Sequence, residues 1–184
     1  MTVRNRTRAA ILAAAASALG RNRAATLAEI AEAAGVGRTT LHRYFPDRED
    51  LVRATVADSL RAIAENVLAA RPHEGPAREA LRRLIAAMVE TYERSLFVWG
   101  EPAGVPEVDA GPGPAEADAA VRALIERARD EGAVDPAMSV DWVQQILWAV
   151  TYTGGEAGAK GQIARGGVVD LVVRTFEGGV RPAA

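Results

Sequence analysis

The stretch AEIAEAAGVGRTTLHRYFPDRED, residues 28–50, sets two short helical patterns on either side of a glycine-valine-glycine joint. Thr26 opens the first pattern with a capping box: its hydroxyl can accept from the Glu29 amide, and the Glu29 carboxylate can reach back to the Thr26 amide. Leu27, Ile30, Ala31 and Ala34 follow at i, i+3, i+4 and i+7, the buried face of a helix about eight residues long. Gly35 can take the left-handed conformation that ends it. Gly37 is a permissible N-cap for the second helix, in which Leu41 and Phe45 make an i, i+4 apolar pair and Val36 anchors the turn. Pro46 stops that helix and Asp47 caps the next. With Leu41 and Phe45 turned inward, Arg38, Thr39, His42 and Arg43 share the opposite face, flanked by Thr40 and Tyr44. Two short helices joined by a glycine-containing turn form a helix-turn-helix, whose second helix enters the DNA major groove. Arginine can bind guanine bidentately there, and a threonine methyl can touch thymine.

Charge is distributed to match. The 184 residues carry 22 basic and 24 acidic side chains, a net −2. Residues 1–53 nevertheless hold nine arginines against five acids, a local +4, and the remainder of the chain is −6. A basic N-terminal segment on an acidic body is the asymmetry of a polyanion-binding head. There is no cysteine, which excludes disulfides and cysteine-based zinc sites, and His42 and His73 cannot by themselves make a metal site. No metal and no cofactor are expected. The N-terminal MTVRNRTRAAILAAAASALG places Ile11, Leu12, Ala15 and Leu19 at helical spacing, which favours an amphipathic first helix over a secretory signal. No apolar run approaches the ~20 residues that span a bilayer, so the sequence predicts a cytoplasmic protein with no membrane partner.

Alanine, leucine, arginine and glutamate dominate and no period-two alternation appears, so the expected fold is all-α. The first helix is expected over Arg4–Leu19 with Gly20 as its stop, and the fourth, REDLVRATVADSLRAIAENVLAA, closes near RPHEGP. A fifth runs over Ala77–Trp99. The proline- and glycine-rich stretch 100–118 predicts a mobile loop, and further helices are expected over Ala115–Glu131, Val140–Ala157 and Gln162–Glu177. The length suits one domain, or a small one joined to a larger.

Residues 4–53 resemble the DNA-binding domain of the TetR family of transcriptional regulators. TLAEIAEAAGVGRTTLHRYFPDREDLV is similar to that family in its threonine-capped second helix, glycine-valine turn, leucine and phenylalanine of the third helix, and charged start of the fourth. Gly37 stands where a capping serine or threonine is usual, His42 where tyrosine is usual and Arg48 where lysine is usual. The resemblance covers under a third of the chain. It implies a DNA-binding domain over residues 1–47 and a helical effector-binding and dimerisation domain over 48–184. It also implies base contacts from Arg38, Thr39, Thr40 and Arg43, and phosphate contacts from Thr26, His42, Tyr44 and Arg48. The expected function is a ligand-responsive regulator, a repressor, which binds a palindromic double-stranded operator as a homodimer and is released by a small effector.

Two aromatic stripes in the helical body are candidates for the effector site. Met88, Tyr92, Leu96 and Trp99 recur at steps of three or four on the expected fifth helix, and Gln145, Trp148 and Tyr152 recur likewise. A bulky hydrophobic or aromatic ligand would suit them. In the last two helices Val143, Ile146, Leu147, Ala149 and Val150, then Val168, Val169, Leu171, Val172, Val173 and Phe176, cover more than one helical face. The surplus apolar surface predicts a two-fold, four-helix interface, with Ile146, Val150, Val168, Leu171, Val172 and Thr175 as candidates. An enzyme is disfavoured, because there is no phosphate loop, metal-ligand cluster or nucleophile motif, and neither histidine has a triad partner. Glu90 and Glu93 read as solvent-facing neighbours. The competing reading is a helical protein-interaction module whose basic head binds no specific DNA; steep salt dependence on a short operator separates the two.

Overall fold

The computed structural model describes residues 3–99 and 107–182. Within them the chain is all-helical: α1 (Val3–Arg21), α2 (Leu27–Ala33), α3 (Arg38–Tyr44), α4 (Arg48–Ala69), α5 (Ala77–Glu90), α6 (Tyr92–Trp99), α7 (Gly113–Asp130), α8 (Val140–Ala159), a 3-10 turn (Arg165–Gly167) and α9 (Val168–Val180). None of these helices is long and apolar enough to cross a membrane. The contacts group into two units, one of Met1–Ala62 with Glu93–Gly111 and one of Ile63–Tyr92 with Pro112–Ala184.

In the first unit, α1 buries Ile11, Leu12, Ala15, Ala16 and Leu19. Ile30 and Ala31 of α2, with Leu41, Phe45 and Leu51, are also withdrawn from water. The Thr26 capping box is complete, with both reciprocal hydrogen bonds to Glu29 formed. Gly35 takes φ +65°, and the next amide, Val36 N–H, donates back to the Ala31 carbonyl. Gly37 caps α3 through its extended backbone alone, and Asp47 accepts from the Asp50 amide at 2.8 Å to start α4.

Gly20 does not stop α1, which continues to Arg21. A Cβ at Gly20 would lie 3.3 Å from the Glu93 carbonyl oxygen, so this glycine serves a close approach to α6 rather than a helix end. The single helix expected over Ala77–Trp99 is two helices, broken at Thr91. The Thr91 hydroxyl donates to the Ala87 and Met88 carbonyls, offering the backbone a local alternative to helical continuation. Of the expected loop, residues 100–106 lie outside the described residues and 113–118 are already helical. Pro112 caps α7 and Pro114 sits in its first turn, where a missing N–H and a fixed φ favour helix initiation. The last helix begins at Val168 rather than Gln162, because Gln162 N–H closes the end of α8 onto the Ala157 carbonyl after Gly161 turns at φ +70°.

In the second unit, α5 and α7 bury Leu81, Leu84, Ile85, Val121, Leu124 and Ile125. The α5 start lacks a side-chain cap of its own, and Glu131, just past α7, accepts the Ala77 amide at 2.7 Å. Three glycines of α8 set its packing distances. A Cβ at Gly154 would stand 2.1 Å from a Val172 methyl, one at Gly158 2.8 Å from a Val168 methyl, and one at Gly155 2.4 Å from the Tyr92 ring. Overpacking of this kind costs about 1–3 kcal/mol. Gly154→Ala is therefore expected to destabilise the protein by about that amount, despite the better helix propensity of alanine. Gly178→Ala in α9, where an added Cβ meets nothing within 4 Å, should stabilise it by about 0.5–1 kcal/mol. Chemical denaturation of the two variants checks the opposite signs.

Candidate nucleic-acid interface

Helix α3 is held by its inner face and open on its outer one. Leu41 and Phe45 are 1% and 3% exposed, whereas Arg38, Thr39, His42 and Arg43 are exposed and Thr40 and Tyr44 are half-buried. Concavities flank the outer face on both sides. Val3, Arg4 and Thr7 of α1 line one together with Thr40, Arg43 and Tyr44. The other runs between Thr26, Leu27 and Ala28 at the start of α2 and Arg38 and His42. The arrangement presents guanidinium, imidazole and hydroxyl donors from a short rigid helix, with a shallow trough on each side.

Several of the candidate DNA-contact residues also have structural partners. Tyr44 Oη donates to the Arg4 carbonyl at 3.3 Å, tying α3 to the start of α1, and the Arg43 guanidinium lies 5.7 Å over the Tyr44 ring. His42 Nδ1 is 3.3 Å from the Pro46 carbonyl. Thr26 gives its hydroxyl hydrogen to Glu29 Oε2 at 2.8 Å. Arg48 donates from both terminal nitrogens to the Arg23 and Ala25 carbonyls, so its guanidinium holds the α1–α2 connection. Arg23 in turn donates to the Leu96 and Phe97 carbonyls and stacks 5.2 Å over the Phe97 ring. Neither anchoring role is written in local sequence, since each depends on carbonyls more than twenty residues away. Arg38 has no such partner among the described residues.

The residues expected at the effector site are divided by the break at Thr91. Met88 and Tyr92 belong to the second unit and are 5% and 8% exposed; Leu96, half-buried, and Trp99, 49% exposed, belong to the first. Within the second unit Tyr92 and Tyr152 meet edge-on, with ring centroids 5.7 Å apart and planes at 63°. Trp148 is half-buried one turn before Tyr152, and Gln145 is exposed. The buried amide is its neighbour Gln144, which donates to Asp118 and accepts from Arg122. Gly155, whose missing Cβ lets the Tyr92 ring approach, was not anticipated; the Gly154-Gly155 pair and Gly158 were its signal. Of the dimer candidates, Ile146, Val150 and Leu171 are half-buried and Thr175 is exposed. Val168 and Val172 are 4% and 3% exposed and pack against α8 glycines of their own chain.

Residues 11–55 match the family model described as "Bacterial regulatory proteins, tetR family". The chain is 36% identical over 180 residues to the HTH-type transcriptional repressor LfrR of Mycolicibacterium smegmatis, covering 96% of this chain and 92% of that protein. The crystal structure of the TetR-like regulator LfrR from Mycobacterium smegmatis in complex with proflavine is similar with a TM-score of 0.74, at 33% identity, over 99% of this chain and 100% of that one. A TetR regulatory protein from Mycobacterium vanbaalenii matches at a TM-score of 0.62 and 28% identity, over 97% of this chain and 96% of that one.

Helix α2, which packs beside α3, starts on the Thr26 capping box. The Thr26 amide, and after it the Thr26 hydroxyl, hold the Glu29 carboxyl below its ordinary range. A carboxyl depressed in the folded state stabilises above its unfolded pKa, and that contribution fades as pH falls through the folded value. Thr26→Ala should lower stability by about 1 kcal/mol at neutral pH. The melting-temperature gap between this variant and the wild type should then narrow on acidification, as thermal melts across the acidic range will reveal.

Proposed function

Because the chain belongs to the TetR family of bacterial regulatory proteins, we propose that it represses transcription by binding a palindromic operator as a cytoplasmic homodimer and leaves that operator when a planar aromatic effector binds. It is a transcriptional regulator and not an enzyme. The observation that carries the proposal is the outer face of α3: Arg38, Thr39, His42 and Arg43 stand exposed between two troughs. A helix in the major groove needs base-reading side chains at its centre and room for a phosphate strand on either flank. Residues 1–47 are then the DNA-binding head, and residues 48–184 bind effector and partner. Arg38, Thr39, Thr40 and Arg43 read bases. Thr26, His42 and Tyr44 meet phosphates, and Arg48 supports the head through the α1–α2 connection as well as by its charge.

The effector reading is supported by the LfrR complex with proflavine and by the Tyr92–Tyr152 pair, with half-buried Trp148 one turn before Tyr152 on α8. Aromatic faces attract planar cations such as proflavine. Arg43→Ala should weaken operator binding by about 1–3 kcal/mol and relax base preference. Proflavine should quench tryptophan emission and weaken operator binding by the same factor by which operator weakens proflavine. Footprinting and fluorescence titration read both; full operator affinity in a Thr40→Ala, Arg43→Ala double variant would overturn the assignment.

The dimer reading rests on α8, which carries no charged side chain from Trp142 to Thr153. Trp142 is 55% exposed, and Ile146 and Val150 follow on the same side at helical spacing. An isologous contact through this face buries tryptophan against its own copy. Ile146→Glu should split the dimer while leaving helix content intact. Val172→Glu should instead unfold the second unit, because its side chain is enclosed between α9 and Gly154. Sedimentation and circular dichroism distinguish the two outcomes.

A further inference from the structure

Four arginines converge on a groove between α5 and α9: Arg78 and Arg82 from one side, Arg174 and Arg181 from the other. They do so in the part of the chain that carries a net −6. Arg82 is paired, donating from Nε and Nη2 to the two carboxylate oxygens of Glu177 at 2.7 and 3.0 Å. Those hydrogen bonds hold the Glu177 carboxyl below its ordinary range; partial burial pushes the other way, and the charges of Arg82, Arg78 and Arg181 add to the lowering. Arg78, Arg174 and Arg181 make no hydrogen bond or ion pair among the described residues. Scaffold arginines of the same unit behave otherwise. Arg83 donates to the Ala70, Arg71 and Glu74 carbonyls, and Arg127 to those of Pro72 and His73. The groove floor is apolar, formed by the half-buried Val169 and Val173, and Gly178 leaves it open.

We propose that this groove docks an acidic amphipathic helix of a partner protein. The guanidinium fork matches a carboxylate bidentately. Arg174 lies in α9 and Arg181 directly follows its last residue, Val180, so the two are placed roughly 10 Å apart along the axis, which suits carboxylates spaced two turns apart on a facing helix. An apolar side chain between those carboxylates would cover Val169 and Val173. Asp170 and Glu177 also stand in the groove. A duplex with one charge per about 1.7 Å would set phosphates against them, whereas sparse carboxylates avoid them. A second copy docking groove to groove would oppose arginine to arginine across the two-fold.

The test is fluorescence anisotropy of the full chain with a labelled helical peptide bearing glutamates two turns apart and leucines between them. The wild type should bind it with salt-sensitive affinity. Arg78→Glu with Arg174→Glu should weaken it about tenfold or more, since each lost pair is a charge-assisted contact. Gly178→Phe, which fills the groove and keeps every arginine, should weaken it similarly. Arg38→Ala with Arg43→Ala should leave peptide affinity unchanged while lowering operator affinity, so the two readings fail separately. Operator affinity retained by the groove variants verifies their fold. Peptide affinity unchanged in both groove variants, equal binding of a peptide with lysine in place of glutamate, or a loss in the groove variants of non-specific duplex binding in place of peptide binding would each overturn the proposal.

Discussion

In the connection between α1 and α2, the Arg48 guanidinium donates one N–H to the Arg23 carbonyl and another to the Ala25 carbonyl. Ala25 is 5% exposed, so water reaches that corner poorly and an unmet carbonyl there would cost about 1–3 kcal/mol. The same connection sends out the Arg23 side chain, whose guanidinium grips the last carbonyls of α6 and lies over Phe97. The first unit is thus tied together by two guanidiniums, one entering the α1–α2 connection from the start of α4 and one leaving it toward α6. The Thr26 cap begins immediately after this corner, and α3 is oriented by α2 through Ile30, Ala31 and Leu41. Whatever α3 presents to a partner inherits its position from the corner.

Local signals were legible where the chemistry is local. The capping box at Thr26 and Glu29, the left-handed Gly35, the backbone cap at Gly37 and the Asp47 cap all involve partners within four residues, and each formed as expected. Gly20 carried the same letter as Gly35 and meant something else. Its reason is the Glu93 carbonyl, which no reading of residues near Gly20 could reveal. Thr91 was a weak signal of the same kind: threonine is tolerated in helices, and whether its hydroxyl turns back onto two carbonyls depends on the packing around it. Pro112 and Pro114 did carry the start of α7, but the surrounding glycines and prolines read as loop.

The candidate site divided along the same line. The polarity of α3 follows from periodicity, because Leu41 and Phe45 fix one face and thereby release the other. The aromatic stripe of residues 88–99 assumed one continuous helix, and the break at Thr91 ends the periodicity on which the stripe was read. Tyr92 keeps a partner, Tyr152, only because Gly155 gives up its side chain to the ring. Spacing also left Gln144 and Gln145 close to equivalent. The hydrogen bonds from Gln144 to Asp118 and from Arg122 decide which of them is buried, and both partners come from α7. In α9 the apolar excess was legible, but Val168 and Val172 are consumed by the glycines of α8, while Val169, Leu171 and Val173 stay half-buried.

Arginine is close to the sole cation of this chain, with Lys160 the one lysine among 22 basic side chains. Counting arginines therefore says little, and the destination of their N–H groups says more. Arg23, Arg48, Arg83, Arg127 and Arg129 give theirs to backbone carbonyls, where the planar fork closes turns and helix ends. Arg53, Arg82, Arg94 and Arg122 give theirs to carboxylates. Arg38, Arg78, Arg174 and Arg181 have neither kind of partner among the described residues. An exposed guanidinium adds little to folding, so stability does not account for gathering several of them on a concave surface. Such gatherings occur at α3 and at the α5–α9 groove. The first is bordered by threonine hydroxyls and an imidazole, chemistry suited to base edges and phosphates, while the second is bordered by carboxylates and floored with valine. Equal in charge type, the two surfaces differ in the chemistry around the charge, hydroxyls and an imidazole at one and carboxylates with valines at the other.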